Sequence, residues 1–211
     1  MKMGSTASGT LPDASALRLV LTLSLAGLLS GFIIVAAYQT TLPMIEAYQA
    51  EQLRLAVFKV LPNVTRMQRM VYRDGKMVAS EADNYDAVYA GYDAKDQLIG
   101  YAIPAAGPGF QDTIKLLFGY LPTSRTIVGM EILDSRETPG LGDKIYKDAD
   151  FVANFDKLAI DPEIVAVKKG KKAKPNEIDA ITGATISSKA VVRIINGANK
   201  IWAPRLGPGD G

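Results

Sequence analysis

An α+β domain with an antiparallel sheet and packed helices, preceded by one N-terminal transmembrane helix, is the architecture that this 211-residue chain predicts. Three observations predict it. Residues 19–37 form an uncharged apolar stretch, four β-rich runs crowd into residues 88–133, and residues 186–202 repeat apolar side chains at helical spacing. Short links between the β-rich runs make neighbouring strands antiparallel, and helices covering one face of that sheet make the class α+β.

Residues 1–18 are read as a cytoplasmic N-terminus and residues 19–38 as the transmembrane helix. The stretch LVLTLSLAGLLSGFIIVAA rises about 28 Å as a helix, close to the thickness of a bilayer core. Lys2 and Arg18 with Val35-Ala36-Ala37 also suit a cleaved signal peptide, but a signal core is shorter, which favours a retained anchor. Arg18 flanks the span and Glu46 is the first charge beyond it, so the positive-inside bias puts everything after Tyr38 across the membrane, in the periplasm. Gly27 and Gly31, with Ala26 and Ser30 beside them, offer a strip of small residues where another helix can approach.

Residues 39–85 are read as a stalk helix and linker. Thr41 and Pro43 look like a helix start, Met44, Tyr48, Leu55 and Phe58 recur at helical spacing, and Pro62 stops the run. Residues 86–203 make the domain, with strands VYAGY, LIGYAIPA, TIKLLFGYL and TIVGMEIL. A short helix follows over residues 143–155, then a strand at 164–167. The final helix, 186–202, places Val191, Ile194, Ile195, Ala198 and Ile201 on one face, so the helices are expected to cover one face of the sheet. Residues 204–211 read as a flexible tail. The lysine-rich run at 168–175 reads as a solvated loop, or else as a contact for an acidic partner or anionic head groups.

Composition narrows the chemistry. Lys and Arg number 24 against 22 Asp and Glu, a net charge of +2 that calls for no nucleic acid. The chain has no Cys and no His, which removes the usual metal ligands, thiol nucleophiles and histidine-based triads. Any redox or acyl chemistry needs a reactive group supplied from elsewhere.

Two segments are suited to hold one. Glu137-Thr138-Pro139-Gly140-Leu141-Gly142 is a rigid and then permissive turn after a strand, whose glycines let backbone amides come close to a bulky group. Asp179-Ala180-Ile181-Thr182-Gly183-Ala184-Thr185 runs into the last helix, with Thr185 at or beside the N-cap and Ser187 and Ser188 in the first turn. An anion there meets unpaired N–H groups and the positive end of the helix dipole. Read alone, the first segment is better taken as an ordinary turn and the second as an ordinary helix cap.

Asp-x-x-Thr-Gly-Ala-Thr resembles the flavinylation motif of the FMN-binding domain family. With Glu-Thr-Pro-Gly-Leu-Gly-Asp-Lys upstream and one membrane anchor, the chain from residue 19 to 201 is similar to the G subunits of Rnf ion-translocating electron-transport complexes. The resemblance implies covalent flavin mononucleotide (FMN) linked through its phosphate to Thr185, with Gly183 and Ala184 clearing room and Asp179 read by a flavin transferase. It places Thr138, Gly140 and Leu141 near the isoalloxazine ring, and Glu137, Lys144, Thr182, Ser187 and Ser188 complete the cofactor-binding candidates. Where family members often have an aromatic-x-Gly pattern, this chain has Gly109-Phe110-Gln111-Asp112.

The implied function is an electron-carrier subunit, with no complete active site alone, of a membrane complex that couples electron flow between ferredoxin and NAD to ion movement. Its partners are the other membrane and peripheral subunits. A flavin fits a chain without Cys or His, because the cofactor brings the chemistry. The C subunit of the sodium-translocating NADH:quinone oxidoreductase, which shares the covalent FMN, and a membrane-anchored flavin sensor remain alternatives.

Overall fold

A computed structural model of the chain describes residues 14–80 and 87–207. Most of the expected cytoplasmic N-terminus, including Lys2, the last residues of the linker, the first residue of the domain and the end of the tail lie outside the described residues. The chain divides into two units, Met1–Ala50 and Glu51–Gly211.

Helix α1 (Ala14–Val60) runs through the first unit, and its last turns belong to the second. It contains an 18-residue window long and apolar enough to cross a membrane, with none of that window buried. A Cβ added to Gly27 or Gly31 meets nothing within 4 Å, so the small-residue strip is open within this chain. The expected helix start at Thr41 and Pro43 is absent, because Pro43 stands inside one continuous helix. Proline lacks the N–H that would meet the Gln39 carbonyl, and the helix survives with local side-chain hydrogen bonds around it. The Thr41 hydroxyl donates to the carbonyls of Ala37 and Tyr38 at 2.9 and 3.1 Å, and the Thr40 hydroxyl to those of Ala36 and Ala37.

The second unit is built on a seven-stranded sheet, β1 (Arg66–Arg73), β2 (Lys76–Ala79), β3 (Ala87–Tyr92), β4 (Leu98–Pro108), β5 (Thr113–Leu121), β6 (Thr126–Asp134) and β7 (Leu158–Ala159). The strand order is β2-β1-β3-β4-β5-β6-β7, and every pair is antiparallel. Strands β1 and β2 fall in the segment expected to be linker. They are joined by Asp74-Gly75, both at positive φ (50° and 82°), the backbone that a two-residue hairpin turn requires.

Alternation along the central strands feeds two cores. Ile103, Leu116, Phe118 and Tyr120 pack with Val191 and Ile195 of the last helix, α4 (Thr185–Trp202). Ala102 and Leu117, whose side chains leave the opposite face, pack with Ala56, Val57, Val60 and Leu61 from the end of α1. Helices therefore cover both sheet faces, not one. The close approach on the α1 side depends on missing side chains: a Cβ at Gly129 would lie 2.9 Å from the Val60 carbonyl oxygen, and one at Gly119 would collide with it.

The expected helix over 143–155 is two pieces, α2 (Lys144–Lys147) and α3 (Ala149–Ala153). Asp148 between them is extended, and its carboxylate caps the Phe151 N–H at 3.2 Å. Strand β8 (Val165–Lys168) pairs in parallel with β9 (Glu177–Ala180) in a separate small sheet. The expected free tail begins too early at residue 204. Leu206 is buried, and the Arg205 guanidinium lies 4.8 Å from the Tyr72 ring centroid and 5.3 Å from that of Trp202, which ties residues 205 and 206 to the domain.

Candidate functional site

Three segments meet where β4, β6 and β9 end: the β4–β5 loop at residues 109–112, the turn at 137–142 after β6, and the first turn of α4 behind β9. Glu137 joins them. Its Oε1 accepts the N–H groups of Phe110 and Gln111 at 2.8 and 3.0 Å, and its Oε2 accepts the Ser187 hydroxyl. The residue is 5% exposed. Two glycines make room for it, since a Cβ at Gly142 would lie 2.7 Å from Glu137 Oε2 and one at Gly109 would collide with Oε1. Burial acts to raise the Glu137 pKa, but the Ser187 hydroxyl and the N–H groups of Gln111, Phe110 and Asp112 outweigh it and hold the carboxyl below its ordinary range.

The turn that follows is closed by the N–H groups of Leu141 and Asp143, both donating to the Thr138 carbonyl. Gly140 sits at φ +76°, in the left-handed region, and Leu141 is 49% exposed although apolar. The Thr138 hydroxyl donates to Gln111 Oε1 at 3.1 Å. It is thus engaged by the neighbouring loop. Lys144 is half-buried at the start of α2, with its N–H on the Leu141 carbonyl. Sequence reasoning overlooked Asp143, a buried carboxylate 2.6 Å from Lys147 Nζ. The Asp-x-x-x-Lys spacing across a helix start was the available signal, and the lysine beside it holds the Asp143 carboxyl below its ordinary range.

At the third segment the N-cap of α4 is Ala184, not Thr185, and an alanine cannot cap. The first-turn N–H groups that an α-helix leaves unpaired therefore receive no hydrogen bond from a capping side chain. Thr185 is the first helical residue and is exposed, with its hydroxyl 3.5 Å from the Ile181 carbonyl. Gly183, at φ +84°, makes the turn into the helix, and a Cβ placed there would lie 3.7 Å from Leu141 Cδ2, which puts the two glycine turns side by side. Thr182 is exposed. Ser187 is committed to Glu137, and Ser188 is buried, accepting the Ile181 N–H at 3.0 Å and donating to the Ala184 carbonyl at 2.9 Å.

Asp179 faces elsewhere. Its Oδ1 accepts the N–H groups of Lys171 and Lys172 at 3.1 and 3.2 Å, and its own N–H donates to Asn154. Together with Glu177, whose Oε2 accepts the N–H groups of Ala173 and Lys174, it shapes the lysine-rich loop between β8 and β9. Asp179 also lines a cavity of about 250 Å³ between that loop and α3, next to Ile181.

The arrangement suits a phosphorylated, flat ligand. An uncapped helix N-terminus attracts a phosphate, an exposed hydroxyl beside it can be esterified, and two bare glycine turns with an exposed leucine leave space for an aromatic body. FMN has those parts. The residues Thr185 and Thr182 are exposed, while Ser187 and Ser188 are buried.

The comparisons with known proteins agree in class. The FMN-binding domain family matches residues 109–200, which takes in all three segments of the site. The G subunit of the Na(+)-translocating ferredoxin:NAD(+) oxidoreductase complex of Acetobacterium woodii is 31% identical over 75% of this chain and 77% of its own length. The G subunit of the ion-translocating oxidoreductase complex of Methanosarcina acetivorans is 28% identical over 86% of this chain and 91% of its own. Among solved structures, the C subunit of the Na(+)-translocating NADH-quinone reductase of Parabacteroides distasonis superposes with a TM-score of 0.57 at 22% identity, over 70% of this chain and 80% of that one, which establishes a shared fold. The chain carries a match to the FMN-binding domain over residues 109–200. It belongs to the family formed by the G subunits of ion-translocating oxidoreductase complexes.

Proposed function

We propose that this chain is the membrane-anchored electron-relay subunit of an ion-translocating ferredoxin:NAD oxidoreductase complex, with FMN joined through its phosphate to Thr185. The observation that carries the reading is local. Thr185 is an exposed hydroxyl on the first residue of a long helix whose N-terminus has no capping side chain, while the nearby Ser187 and Ser188 hydroxyls are spent inside the protein. When bound, FMN supplies the electron-accepting group that a chain without Cys or His lacks.

The chain's own residues do the rest. The first-turn N–H groups of α4 hold the phosphate, Gly183 turns the chain tightly into the helix, and Gly140 with Leu141 leaves an open apolar wall for the ring. Glu137 fixes the distance between the turn, the loop and the helix. The apolar part of α1 anchors the domain, which lies on the periplasmic side because Arg18 flanks the other end of the span. Partners are the remaining subunits, approached through the strip at Gly27 and Gly31, and a flavin transferase that attaches the group.

In-gel flavin fluorescence after full denaturation tests the tether. Wild-type protein from a host that contains the transferase should fluoresce and Thr185→Ala should not. A fluorescent Thr185→Ala band would remove Thr185 from the reading.

A further inference from the structure

Two carboxylates of the described residues are buried, Glu137 and Asp143, and they differ in how their charge is met. Asp143 has the Lys147 ammonium 2.6 Å away. Glu137 belongs to no ion pair of the described residues, and the nearest basic side chain in sequence, Arg136, is 77% exposed and reaches Asp112 at 3.9 Å instead. What surrounds the Glu137 carboxylate is a set of dipoles: N–H groups of the 109–112 loop, the Ser187 hydroxyl and the first turn of α4. Dipoles keep the group ionised without cancelling its charge. The charge lies among the three segments assigned above to the flavin, and its Ser187 partner is two residues from Thr185.

We propose that the buried, cation-free carboxylate of Glu137 is a positioning and potential-setting residue, which lowers the reduction potential of flavin held in this site by opposing the arrival of further negative charge. The inference rests on the flavin reading given under Proposed function. Its physics is general. Electron uptake adds negative charge, and a fixed anion that is shielded from water repels that charge far more than a solvated one does. Asp143 is met by its lysine and contributes little to the same effect. The hydrogen bonds around Glu137 serve a second purpose, since they keep it from neutralising itself by taking a proton.

Potentiometric titration of the flavin in the full-length protein tests this, with covalent flavin content measured on the same samples. Glu137→Gln keeps the size and both hydrogen-bonding ends, accepting from Phe110 and Gln111 and donating to Ser187, while it removes the charge. The midpoint potential of the flavin that is bound should move positive. Ser187→Ala removes one neutral partner, and at a pH well above the carboxylate range the Phe110 and Gln111 N–H groups still meet an ionised Glu137, so there it should not move the potential positive. An unmoved potential in Glu137→Gln, or an equal positive shift in Ser187→Ala, overturns the proposal.

If Glu137→Gln takes up no flavin, a cation brought to the carboxylate decides instead. Gln111→Lys, on the residue whose N–H already meets Glu137, should shift the potential positive by more than Thr113→Lys; equal shifts overturn the proposal. Failure of the underlying reading looks different. Flavin released by denaturing the wild type refutes the tether, and the titration then still runs on the flavin bound before denaturation.

Discussion

Thr185 and Glu137 divide the labour at the site, one offering a hydroxyl to the outside and the other closing the interior. Three outcomes are expected of single substitutions here. Thr185→Ala should lose all flavin that survives denaturation while Ser188→Ala, whose hydroxyl is buried, should retain it; the measurement is flavin absorbance after acid precipitation. Gly142→Ala should destabilise the protein by about 1–3 kcal/mol, because its Cβ would press on Glu137 and Ser187, and denaturant unfolding checks it. The third concerns acid. Glu137 has a depressed native pKa, so the stability it contributes is present above the ordinary carboxylate range and is lost as pH falls through that native value. Unfolding measured from neutral pH downward should therefore show a shallower acid limb in Glu137→Gln, with a remainder from Asp143, Asp161 and Glu177, whose pKa values are also depressed. Residue identities were legible in the sequence here, but their partners were not. Glu137 meets Phe110 and Ser187 across 27 and 50 residues of chain, a distance no local pattern reports.

Elements were legible where their period was long. Strands β3 to β6 and helix α4 stand where β-rich runs between turn clusters and helical spacing placed them, and each adds side chains to the main core. Short or tightly coupled elements escaped. Strand β9 has four residues, two of them acidic, and draws its register from β8. The β1–β2 hairpin carried an Asp-Gly turn signal that could have found it, but the apolar residues around it are mostly half-buried, so alternation is weak. Pro43 misled in the opposite direction, as a proline reads as a boundary unless the helix on both sides persists. The end of α1 gives a prediction of its own. Leu61 is fully buried between that helix and the sheet, so Leu61→Ala should cost about 2–5 kcal/mol in denaturant unfolding, as large as a loss in the main core. A loss near zero would show that this second core is not a cooperative part of the fold.

As a whole molecule the protein is proposed to be an electron carrier whose flavin is fixed to a single side chain and whose anchor keeps it at a membrane. Two independent features support it: α1 offers an unburied apolar span, and the match to the FMN-binding domain covers the segments that converge at the α4 N-terminus. The proposed orientation rests on Arg18 at the N-terminal edge of the span: protease added to spheroplasts should cut the domain after Tyr38, and full protection would reverse the topology. The most direct measurement is peptide mass spectrometry of the protein isolated from its membrane. One modified peptide is expected, containing the Thr-Gly-Ala-Thr segment and heavier by FMN less water, with fragment ions placing the added mass on Thr185. An unmodified Thr185, or the same mass on Thr182, Ser187 or Ser188, would contradict it.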